Sequence, residues 1–381
     1  MDRQLNAIWQ INIICCAGIA ITNVYELYSI TSLLFYISFI ITALSMYLCM
    51  RKPVTGYTQN TLIVLFFLVI FGVVSILPGS LNFGYIKKFL IYVTTLFSYY
   101  ISFKLRPADR TVKYLLYSNV LVSITYIIRS QARGAYQNKL LYLFFSNPNL
   151  TGMWLCMSMM LLAITVFFVH RKMIKLALLA MAAQLGYLCM QTEARNIWLA
   201  LVLACVLGAL CISSRTVKYK KFFIFLVDLF PLLFAWIYML ILKYGVLVAQ
   251  LTSLLVSKGK PLTSRFAIWT EAFEHIKKYP IFGAYSVVGN GSGSFQLHNT
   301  HIDVWAAYGT VGLVLFLVYV YRIMREANAR SASKGSMIAL TGFMCMTLMG
   351  NAEASLYSTG MGMYIYVSSF LILANYFNQR K

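Results

Sequence analysis

Two of the four histidines, His298 and His301, stand in the stretch Q-L-H-N-T-H-I-D-V-W-A-A-Y-G-T-V-G at positions 296–312. An imidazole titrates near neutral pH, so one histidine is enough to take a proton from a hydroxyl. In apolar surroundings the same ring is costly unless it is paired. Asn299 follows His298, then nine residues, then Gly309 and Gly312. Glycines three apart share a helix face and let a second helix approach closely. His298 and His301 are also three apart, so on a helix already begun there both rings point the same way. We read His298 as the catalytic candidate, beside the plainer reading of a satisfied structural histidine. His301 is the lesser candidate. Asp303 either orients a histidine or is a first-turn acid favoured by the helix dipole.

Arginine supplies what a phosphate partner needs, a planar fork of donors that matches two oxygens at once. Arg195 lies in Q-T-E-A-R-N-I-W at the start of an apolar run, and Glu193 is its nearest acid along the chain. The alternative for Arg195 is an interfacial arginine paired with Glu193. Arg265 opens a segment in which Phe266, Trp269, Phe273 and Ile276 recur at helical spacing. Thr263 or Ser264 can cap that helix and Tyr279-Pro280 ends it. Its N-terminus is itself an anion site, although an exposed loop arginine is the bland reading of Arg265. Asn147-Pro148-Asn149 reads first as a helix start, with Asn capping and Pro in the first turn. Asp228 is an acid inside an apolar run, either a proton or ion relay or the partner of a loop lysine.

The elements that must hold these groups are membrane helices. The chain of 381 residues is 60% hydrophobic and only 11% charged, which excludes a soluble globular protein with its usual charge of about 25%. Apolar runs of about 17–22 residues recur from end to end, and about twelve spans are expected. They cover 8–24, 29–49, 61–77, 89–103, 113–128, 150–169, 173–190, 196–213, 222–242, 301–321, 336–352 and 358–377. Residues 1–381 read as a single integral membrane domain, with 243–300 as a long extracytoplasmic loop carrying an amphipathic helix. The net charge of +22 comes largely from Lys and Arg in alternate short loops. That pattern puts both termini in the cytoplasm and argues against nucleic acid. Lys87, Lys88, Arg129, Arg133 and Lys139 are outer cations against that bias, which suits an anionic ligand. The eight cysteines fall mostly inside apolar runs with no C-x-x-C, so neither a disulfide frame nor a metal site is expected.

No Walker A motif, H-E-x-x-H or glycosidase-like carboxylate pair is present. What remains is a base, one or two arginines and an outer cavity between helices. That set suits transfer of a group already activated by a diphosphate.

The H-N, nine-residue gap and G-x-x-G resemble the signature of O-antigen ligases and Wzy-type polysaccharide polymerases. N-P-N, the arginine at 195, the R-x-x-x-W of Arg265 and Trp269, and H-N follow in the order of that superfamily over about residues 147–315. The resemblance implies a helical architecture like that of GT-C glycosyltransferases. It also implies a metal- and cofactor-independent, inverting glycosyltransferase in the bacterial inner membrane, acting on its periplasmic side. Arg195 and Arg265 would hold the diphosphate and His298 would act on the acceptor hydroxyl. Asn299, His301, Asp303, Glu193, Asn147, Asn149 and Trp269 would support them. The family often has Ser-Arg where this chain has Ala194-Arg195. The implied partners are undecaprenyl-diphosphate-linked oligosaccharides as donor and acceptor, the bilayer and a chain-length regulator protein. A polymerase of repeat units is favoured over a ligase that transfers finished glycan to lipid A–core, and a lipid-linked glycan transporter is the third reading.

Overall fold

A computed structural model describes every residue except 1, 52–55, 77–82, 133, 138–139, 144–147, 214–218, 244–262, 285–296, 352–362 and 381. The side chains at 56–57, 83–85, 195–196, 211–213, 242–243 and 263–267 are also outside the described set. Thirteen α-helices are described: α1 (Asp2–Val24), α2 (Tyr28–Met50), α3 (Gly56–Ile76), α4 (Phe83–Lys104), α5 (Asp109–Ser130), α6 (Pro148–Thr165), α7 (Lys172–Met190), α8 (Arg195–Ser213), α9 (Lys221–Lys243), α10 (Thr263–Lys278), α11 (Thr300–Arg330), α12 (Lys334–Met349) and α13 (Met363–Gln379). Each expected span falls on one of them. Eight are long and apolar enough to cross a membrane, and the apolar part of α8 and the whole of α12 are shorter.

Polar side chains tie the apolar helices together, the device available where lipid removes any hydrophobic drive between them. Asn12 donates to Thr42 at 3.0 Å between α1 and α2, and Asn119 donates to the Ser158 carbonyl at 3.1 Å between α5 and α6. One end of the bundle gathers both chain termini. There Asn6 donates to the Arg106 carbonyl at 3.0 Å, Asn375 to that of Phe103 at 3.0 Å, and Arg380 to Asp109 at 2.8 Å. Arg330, at the end of α11, lies over the Phe103 ring at 4.4 Å.

The expected span 301–321 is not one straight helix, which corrects the sequence reading. Gly309 has φ 68° and ψ −174°, so α11 consists of two helical arms, 300–308 and 310–330. The arms fold back on each other. The His301 and Phe316 ring centroids are 5.8 Å apart, whereas fifteen residues of straight helix rise about 22 Å. Trp305 Nε1 also bridges the break to Thr310 Oγ1 at 3.0 Å. The chain leaving α10 fills the gap: Thr310 N–H donates to the Pro280 carbonyl at 2.9 Å and Val311 N–H to that of Ile281 at 3.2 Å. These carbonyls cap the first turn of the second arm, whose amides have no partner within the helix.

The same contacts correct the role expected of the two glycines. A Cβ on Gly309 would collide with the Ile281 carbonyl and the Gly283 nitrogen, and a Cβ on Gly312 would collide with Tyr308 Cβ. They make room for the fold-back itself, not for packing against another span.

Candidate functional site

The first arm of α11 starts deep in the bundle. Asn299 caps it: its side-chain oxygen accepts from His301 N at 3.0 Å and Ile302 N at 3.1 Å. The Asn299 amide donates to the Pro231 carbonyl at 2.8 Å and reaches that of Asn351 at 3.4 Å. Pro231 lies near the middle of α9, so the cap sits halfway along that helix and not at its end. Thr300 N–H adds a bond to the Gly350 carbonyl at 2.8 Å, just past α12. The arm therefore re-enters the bundle. Backbone without regular structure is tolerated at such depth when protein buries it or it lines a wet cavity.

His298 lies between two anchors. On one side is the Asn299 cap, and on the other the Leu297 carbonyl accepts from Trp269 Nε1 at 2.6 Å. His298 itself has φ 51°, a left-handed conformation that non-glycine residues take when neighbours impose it. Its side chain is half-buried. Trp269 is fully buried in a small cluster with Ala235, Leu297, Ile302 and Ala306, so α10 packs on the re-entrant arm through its apolar stripe. The amphipathic helix expected in the long loop is present over Thr263–Lys278, and its tryptophan fixes the backbone beside His298.

His301 does not share a face with His298, because the helix begins at Thr300, after the first histidine. Its ring is fully buried against Phe316, and neither nitrogen has a well-formed hydrogen bond among the described residues. It lies against the Asp228 backbone. Asp228 is 1% exposed with one carboxyl oxygen unpartnered. Among the described residues Asp228 has no lysine in an ion pair, and its backbone meets a second buried polar group, His301. Asp303 is half-buried in the first turn of the arm, where its charge meets the positive helix end.

Arg195 is the first residue of α8, after a turn in which Glu193 has φ 51°. Glu193 is exposed. The turn presses on α6, where a Cβ on Gly152 would stand 2.7 Å from Thr192 Oγ1 and 3.1 Å from Ala194 Cβ. Cys345 of α12 reaches the Ala200 carbonyl of α8 at 3.5 Å. Ala200 is five residues after Arg195 and Cys345 five before Gly350, so the start of α8 comes level with the Gly350 carbonyl that holds Thr300. The Arg265 backbone lies one helical turn before Trp269, about 6 Å along α10. The backbones at 195 and 265 thus come level with the start of α11, while the side chains of Arg195 and Arg265 are outside the described set. Asn147 is also outside it. Pro148 is the first residue of α6 and Asn149 is half-buried in that first turn, as a helix start requires. Among the described residues no three His, Cys, Asp or Glu side chains gather into a metal-binding group.

Sequence reasoning passed over Pro231. A proline in a long apolar helix signals an interrupted backbone ladder. That its carbonyl receives Asn299 depends on a contact 68 residues away.

The fold and site define an all-α polytopic membrane protein with a re-entrant arm that presents a histidine beside a docked loop helix. Residues 177–317 match the family model described as O-antigen ligase, and this stretch carries that domain, in keeping with the O-antigen ligase and Wzy superfamily. The match runs from α7 into the second arm of α11 and takes in Arg195, Arg265, Trp269, His298, Gly309 and Gly312. It covers less than half of the chain and begins after N-P-N. The domain carries an O-antigen ligase or polymerase type of function, in broad terms transfer of a lipid-linked glycan. Neither the curated proteins nor the solved structures gave a match.

Proposed function

We propose that this protein is a bacterial surface-polysaccharide polymerase that joins undecaprenyl-diphosphate-linked repeat units on the outer side of the cytoplasmic membrane. His298 takes the proton of the acceptor sugar hydroxyl. The hydroxyl oxygen then bonds to the anomeric carbon of the donor, the bond from that carbon to the diphosphate oxygen breaks, and the diphosphate leaves on its lipid. Arg195 and Arg265 neutralise the charge that grows on the leaving group. Attack opposite the diphosphate inverts the anomeric centre, and no metal takes part.

The observation that carries this reading is the contrast between the two histidines. His298 is half-buried on a backbone fixed from both sides, while His301 is sealed. A group that exchanges protons with substrate needs the first environment. The R-x-x-x-W helix is docked on the same arm, which supports bringing the diphosphate partner to that base.

The test uses purified full-length protein with a defined lipid-linked repeat unit. Polymer longer than one unit, formed without ATP or metal and lost in His298→Ala, is the expected result. Transfer only onto lipid A–core would make it the ligase, and polymerisation that persists in His298→Ala would refute the role of the base.

A further inference from the structure

A cavity of about 510 Å³ opens on the outer wall of the bundle at the end that gathers the chain termini, away from His298. Ile164 in the last turn of α6, Phe167 just after it, Ile338 of α12 and Phe377 of α13 form its apolar walls; Lys334 and Arg380 stand at its rim. Phe167 is 67% exposed, so this wall faces what surrounds the bundle and not its interior. Helix α12 starts at Lys334, capped by Ser333, and its positive end opens into the same space. None of the lining residues is acidic. Arg380 bonds Asp109 at 2.8 Å and lies over the Tyr376 ring at 4.7 Å, and Lys334 has no ion pair among the described residues.

The geometry points to a binding site for one anionic phospholipid, with its phosphate at Lys334 and Arg380 and an acyl chain along Phe167 and Ile338. Basic pockets between membrane helices at a leaflet surface hold anionic headgroups. Free phosphate would leave the apolar walls uncovered, and a zwitterionic headgroup would set its own cation beside two cations of the protein. The site rests on no part of the glycan-transfer reading.

The full-length protein is reconstituted in phosphatidylcholine bilayers holding a trace of spin-labelled phosphatidylglycerol or spin-labelled phosphatidylcholine, and the immobilised fraction of each label is measured. The wild type immobilises the glycerol lipid in preference. Lys334→Gln lowers that preference about fivefold. Ile338→Trp fills the cavity without changing charge and lowers it too, while Lys172→Gln, an exposed cation elsewhere at that end, leaves it unchanged. Equal immobilisation of both lipids by the wild type would overturn the proposal, as would a preference that survives both cavity variants. Displacement of the labelled lipid by inorganic phosphate would also overturn it, in favour of a free-anion site.

Discussion

Replacing Gly309 by alanine tests whether the fold-back of α11 is needed for function. The backbone there, at φ 68° and ψ −174°, is a conformation open in practice to glycine alone. Forcing another residue into it costs about 1–3 kcal/mol. The new Cβ also has nowhere to go, since its neighbours are the Ile281 carbonyl and the Gly283 nitrogen, and both are backbone. Relief means separating 280–283 from 309, which releases the bonds from Thr310 to Pro280 and from Val311 to Ile281. Each such bond is worth about 1 kcal/mol net. Together the penalty is about 3–5 kcal/mol against the docked hairpin, a shift of more than about a hundredfold in its population. Glycan transfer should fall by a similar factor while the protein still inserts in the membrane. A cysteine pair placed at 301 and 316, rings in contact in the folded form, should cross-link in the parent and not in Gly309→Ala. Gly186→Ala is the control: its Cβ meets only the flexible Met159 sulfur at 3.3 Å, and activity should hold. Wild-type polymer length and normal 301–316 cross-linking in Gly309→Ala would show that the reasoning about the break is wrong.

Trp269→Phe keeps a ring in the cluster but strips the donor from the Leu297 carbonyl, leaving a buried acceptor unmet at about 1–3 kcal/mol; turnover measured on lipid-linked repeat units should drop about tenfold or more. Asn299→Asp keeps the helix cap but sets a carboxylate against the Pro231 and Asn351 carbonyls, so a cysteine cross-link between the arm and α9 should weaken; an unchanged yield would count against the anchoring role. His301→Phe removes a buried imidazole with no well-formed side-chain partner among the described residues and keeps the edge contact with Phe316, so thermal stability in detergent should stay level or rise and transfer should persist; loss of transfer with the fold intact would move His301 into the chemistry. Arg265→Lys keeps charge and loses the planar fork, so kcat should fall; unchanged kinetics would make Arg265 an ordinary loop residue.

The helices were legible because hydropathy and capping are local. The helix in the long loop was expected to start near Arg265 behind a Thr263 or Ser264 cap and to stop at Tyr279-Pro280; it stops there and begins two residues earlier, at Thr263. The start of α6 at Pro148 followed in the same way from the fixed φ of proline, while the Asn147 cap lies outside the described residues. The glycine pair was misread, because spacing of three looks alike whether the residues face another helix or clear a sharp turn. What separates those cases is the arrival of residues 280–283 at Gly309, which no window on 300–312 contains. The sequence favoured His298 over His301 but could not show their different surroundings. A difference of one helix cap, with His298 before it and His301 after, leaves one residue half-buried and packs the other ring against Phe316.

The sequence alone determined that this chain lives in a membrane, where its helices run, and which residue types could handle a diphosphate and a hydroxyl. Those properties belong to runs of neighbouring residues, and short-range physics sets them. Tertiary structure alone decided that His298 sits halfway along α9, that a loop tryptophan holds its backbone, and that its sister histidine is sealed away. Depth and exposure come from contacts between residues far apart in the chain, such as Asn299 with Pro231 and Trp269 with Leu297, and such contacts exist only once the helices have packed.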